Sequence, residues 1–153
     1  MKIAEAMGLG SDRIDLLRSA VLLRDLSGLG ISNDILYKAA DVTHAEVLAS
    51  FRKSHKPDAR AQAVGVSVRR VVPIIVAEQI LQDQGARTVN VPIEAHILAI
   101  ADTYQKLTSS AYGIPLSPQQ AEQEIIAGAG EKFNAGVVEA FVKAFERAHG
   151  AGA

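Results

Sequence analysis

The chain has 153 residues, 48% apolar and 22% charged, with a formal net charge of −1 and no cysteine. These values describe one globular domain large enough to bury a core, not a disordered or strongly basic chain. They exclude disulfides and thiolate metal sites, and they point away from nucleic acid and membrane surfaces as partners. A stretch of ~18 apolar residues is absent, so no membrane-spanning helix is expected. The start "MKIAEAMGLG" lacks the apolar stretch of a signal peptide, and the reading is cytoplasmic.

In chain order, Ser11 is placed to cap a helix near 12–27 carrying Ile14, Leu17, Ala20, Val21 and Leu22. Thr43-x-x-Glu46 is a capping-box pattern opening a helix near 44–54, closed by Pro57. Residues 69–84 read as a helix with Pro73 near its start and Gly85 as its stop. The patch "VVPIIV" (71–76) is strand-like, but its proline argues against a central strand. Pro92 opens a helix over 92–107. Ser117-Pro118 opens another over 118–128, and Asn134 caps a last helix over 135–148. The fold class is therefore all-α, with one domain over 1–149 and a flexible "GAGA" tail at 150–153.

The helix 92–107 is the most informative. Ile93, Ile97, Ile100 and Tyr104 share one stripe; Ala95, Leu98 and Ala99 share the opposite side with Asp102. A helix apolar on both sides is buried, and a carboxylate on such a face needs a cation, a metal or N–H donors. Asp102 is thus either a site residue or a helix-end carboxylate bonded to a neighbouring hydroxyl or amide. Asp25 poses the same alternatives, with Arg18 or solvent as its ordinary partner.

The segments "LLRDLSGLGISNDILYKAADVTHAE", "VPIEAHILAIADTYQKLTSS" and "LSPQQAEQEIIAGAGEKFNAGVVEAF" resemble, in order, the motif blocks of an HD-GYP domain. That resemblance covers nearly the whole chain. It implies an HD-domain-like helical bundle of the phosphohydrolases that cleave cyclic di-GMP with two or three metals, usually iron or manganese. It also implies that the family's first helix is lacking, because the chain begins where that helix ends.

The departures from the family pattern decide the expected function. The family's His-Asp dipeptide is Arg24-Asp25 here, and its following Lys is Gly28. The loop carrying His-His-Glu and Gly-Tyr-Pro is replaced by "AEQILQDQGARTVN", and a further family Asp is Gln105. A family His near the end of helix 44–54 matches His55 only with a two-residue insertion; ungapped counting reaches Lys53. The vestigial metal-site positions are then Arg24, Asp25, His55 and Asp102, with no catalytic residue and no metal. Arg24 has no lone pair to offer and stays cationic, so it cannot be a ligand. Either it stands where the metal would stand and neutralises Asp25 and Asp102, or it points to solvent.

The expected function is a non-catalytic HD-GYP-like signalling or regulatory module that works through protein contacts, without a cofactor. Its partner is a protein or an upstream domain, and it is expected to be a homodimer because part of its core lacks a cover. The alternative is a metal-dependent phosphohydrolase with iron or manganese in a rebuilt site of Asp25, His55, Asp102 and carboxylates such as Glu78 or Asp83.

Overall fold

The computed structural model describes residues 1–27, 70–71, 73–75, 77–82, 85–86 and 91–149; of residues 23, 25–27 and 149 it describes the backbone alone. Every regular element among these residues is helical, as the periodicity predicts. The expected helix 44–54, His55, Asp83 and the 150–153 tail lie outside the described residues.

The first element, α1 (Lys2–Ala6), answers to no pattern read in the sequence. Five residues are too few to hold a helix alone. Ile3 and Ala4 bury into the core and supply the missing stabilisation. Gly8 ends the helix at φ +70°, with its N–H on Glu5 and that of Leu9 on the Ala4 carbonyl. This is a Schellman stop, which favours glycine at that position.

The second helix, α2 (Ser11–Ser27), starts one residue earlier than expected. Ser11 is its first helical residue rather than its cap. The Gly10 carbonyl accepts from both Arg13 and Ile14 at 3.1 Å, so Gly10 holds the cap position. The third helix, α3, is described at 70–71, 73–75 and 77–82. Pro73 lies within the described part of this helix. Gly85 stops it at φ +74° with its N–H on Leu81, as its sequence position predicts.

Helix α4 (Ile93–Thr108) is the central element, capped by Pro92. Its two apolar faces enter two separate clusters. Ile97 and Ile100 pack with Leu17, Ile125, Val137 and Phe141. Ala95, Leu98 and Ala99 pack with Ala20, Val71, Ile74 and Leu81. A short turn at Ser110–Tyr112 leads to α5 (Pro118–Ala127), where Ser117 and Gln120 close the two bonds of a capping box. The Asn134 side chain caps α6 (Ala135–His149) through Val137 N–H at 3.2 Å. Tyr104 meets Phe141 and Phe145 at ring-centroid distances of 5.7 and 6.2 Å, which locks α6 onto α4.

Candidate functional site

The site forms where α2, α3 and α4 leave their shared apolar cluster. On each helix the residue one turn beyond the buried apolar positions is polar. Arg24 follows Ala20, Glu78 follows Ile74 and Ile75, and Asp102 follows Leu98 and Ala99. Asp102 and Glu78 are both buried, at 6% and 1% exposure. Two carboxylates at that depth need donors or positive charge.

Both oxygens of Asp102 are committed. Arg24 Nη2 pairs with Oδ1. Lys106 Nζ lies 2.7 Å from Oδ2, and Gln82 Nε2 donates to the same oxygen at 2.8 Å. Gln82 Nε2 also donates to Glu78 Oε1, and Arg24 Nε stands 3.8 Å from Glu78 Oε2. Lys106 closes the ring by donating to Gln82 Oε1 at 3.4 Å. Five side chains from three helices thus form one network with two positive and two negative groups.

The two carboxylates are driven in opposite directions. Burial pushes the Asp102 carboxyl up, but hydrogen bonds from Lys106 and Arg24, with their charges, hold it below the usual value. For Glu78 burial dominates and is reinforced by Asp102; Arg24, Gln82 and Lys106 offset only part of it, so it titrates above the usual range. Arg24 takes Asp102 Oδ1 and stands near Glu78, while Lys106 and Gln82 share Asp102 Oδ2, so neither oxygen of Asp102 lacks a donor.

Of the positions singled out in the sequence, the structure brings Arg24 and Asp102 together. The side chains of Asp25 and His55 lie outside the described residues. Arg18, the ordinary partner considered for Asp25, pairs with Asp15 at 2.7 Å. Sequence reasoning assigned Glu78 only to a rebuilt metal site and passed over Gln82 and Lys106. Their signal was the four-residue spacing of Glu78 to Gln82 and of Asp102 to Lys106. Also missed was the pair of Arg13 with Glu94 at 2.5 Å. It joins α2 to the first turn of α4, and Glu94 is only 4% exposed.

A cleft of about 270 Å³ opens beside the cluster, bounded by α3, α4 and the 128–133 turn. Among the described residues no three His, Asp or Glu side chains gather to hold a metal ion. No described helix is long and apolar enough to cross a membrane.

The described residues form an all-helical fold in which two buried carboxylates are held by an ionic cluster drawn from three helices. No family model matches the chain, and no solved structure matches it. By sequence it is similar to a cyclic di-GMP phosphodiesterase of Vibrio cholerae serotype O1, 28% identical over 152 residues. That similarity takes in 88% of this chain and 30% of the other protein, so the chain spans under a third of its relative's length.

Proposed function

We propose that the chain is a non-catalytic, HD-GYP-like regulatory module of the cytoplasm that acts through protein contacts. The observation that carries this reading is the Arg24 guanidinium on Asp102. A hydrolytic metal centre needs several oxygen and nitrogen donors, with coordination left open for water and phosphate. Here both Asp102 oxygens carry cationic partners, and Arg24 can donate but never ligate. The described donors do not fit iron or manganese. Similarity to a phosphodiesterase speaks for ancestry of the fold, while activity belongs to the site.

The test is metal content together with activity. Protein produced in iron- and manganese-supplemented medium is expected to carry metal far below one ion per chain and to leave cyclic di-GMP intact. Near-stoichiometric metal with release of the linear dinucleotide, lost in Asp25→Ala, would favour the phosphohydrolase with a rebuilt site. Homodimerisation or docking on an upstream domain belongs to the same proposal. It is supported by Tyr112 and Ile114, exposed at 68% and 94%. Sedimentation showing a monomer at high concentration would remove the homodimer from it.

A further inference from the structure

The cleft beside the cluster has the chemistry of a ligand site. Its floor is apolar, built from Leu81, Ala99 and Phe133. Lys106 and Lys132 line it with their ammonium-bearing side chains, and Thr103 lines it with its hydroxyl donated to the Ala99 carbonyl. Among the described residues that line it there is no carboxylate. Lys132 Nζ stands 5.3 Å over the ring of Phe133, itself a lining residue, which favours keeping its charge beside the cleft. Lys106 gives two contacts to the network, Asp102 at 2.7 Å and Gln82 at 3.4 Å. An ammonium has three N–H groups, so one is left for a ligand.

We infer that this cleft binds a small amphipathic anion: one aromatic ring or short aliphatic body bearing a phosphate, sulfonate or carboxylate. The ring lies on Phe133 and Leu81, and the anionic head lies between Lys106 and Lys132. A volume of about 270 Å³ is at the low end for ligand pockets and suits one or two rings rather than a dinucleotide. The site stands on its own lining and does not depend on whether the chain is catalytic. Its occupant shares Lys106 with Asp102, so binding bears directly on the ionic cluster.

Naphthalene-1-sulfonate, with two rings and one anionic head, is the probe, titrated by fluorescence against the full chain. One saturable site per chain is expected, displaced by phenyl phosphate and not by benzyl alcohol at equal concentration. Lys132→Glu is expected to weaken probe binding about tenfold, the value of losing one charge-assisted contact of about 1.4 kcal/mol. Lys143→Glu makes the same charge change on an exposed position of α6 and should leave binding unchanged. Both lysines are exposed, both variants are expected to fold, and their melting curves check it. Equal weakening by the two variants, unchanged binding in Lys132→Glu, or equal displacement by benzyl alcohol would overturn the assignment.

Discussion

Arg24→Ala tests the cluster most directly. Removing one member of a buried ion pair typically costs about 3–5 kcal/mol, because the remaining charge stays buried. Two features reduce the figure here. The Arg24 side chain is 25% exposed, so water can reach part of the vacated space. Asp102 also keeps Lys106 at 2.7 Å and Gln82 at 2.8 Å. The larger loss falls on Glu78, which is 1% exposed and loses its adjacent guanidinium. A destabilisation of about 2–3 kcal/mol follows, or about 4–12 °C in melting temperature for a domain of this length.

The pH dependence separates this account from simple loss of packing. Glu78 already titrates above the ordinary carboxylate value, and without Arg24 it rises further. As pH falls Glu78 protonates first, and the uncompensated charge disappears. Asp102, held low in the parent, contributes stability above the usual carboxylate range that is lost only in more acidic solution. The gap between parent and variant should therefore be widest near neutrality and narrow on acidification. Thermal melts followed by circular dichroism across a pH series measure it. Arg24→Lys keeps the charge without the planar fork and should recover part of the loss. If Arg24→Ala melts within about 1 °C of the parent from about pH 5 to 8, the reasoning is refuted.

Three further outcomes are expected. Glu78→Gln removes an acid whose ionisation burial disfavours, so its melting temperature relative to the parent should rise as pH rises above the ordinary value of 4.5; a falling difference would contradict the direction of the Glu78 shift. Gly85→Ala places a Cβ 2.9 Å from the Glu131 carbonyl oxygen at a φ of +74°, and should cost about 2 kcal/mol or more by denaturant unfolding. Arg13→Ala should cost about 1 kcal/mol, discounted because Arg13 is half-exposed. Glu94 is held low chiefly by the Arg13 hydrogen bond, so this loss should be present above the ordinary carboxylate range and fade as pH falls through Glu94's lowered value.

Local chemistry made much of the helical framework legible in the sequence. The Ser117 box, the Asn134 cap and the Gly85 stop each follow from one or two side chains and their spacing. The two faces of α4 were legible because Ile97 and Ile100 lie opposite Ala95, Leu98 and Ala99. Tertiary contacts decided the rest. Helix α1 exists because Ile3 and Ala4 are buried by distant elements, and five residues carry no periodic signal. Arg24 and Asp102 stood out as charges on apolar faces. Gln82 and Lys106 look like ordinary solvated residues until α3 and α4 are brought together. The pair of Arg13 and Glu94 spans 81 positions and has no local signature.

The three helices of the cluster share one pattern. Along α2, Leu17 and Ala20 are buried and Arg24 comes a turn later; along α3, Val71 and Ile75 precede Glu78 and Gln82; along α4, Ala95 and Leu98 precede Asp102 and Lys106. An apolar seam is comparatively tolerant of small slips, since rearranged aliphatic contacts recover part of their burial. The charged layer is not. Sliding α3 one turn along α4 would separate Gln82 from Asp102 and leave Glu78 buried against apolar side chains. Buried ions contribute little net stability when paired and cost heavily when misplaced. The apolar layer therefore supplies the attraction among the helices, and the ionic layer penalises a slip of α3 along α4. Two buried carboxylates at the end of such a seam need positive charge, hydrogen-bond donors or a proton, and two positive charges are the strongest form of that compensation. In this chain a guanidinium from α2 and an ammonium from α4 supply both.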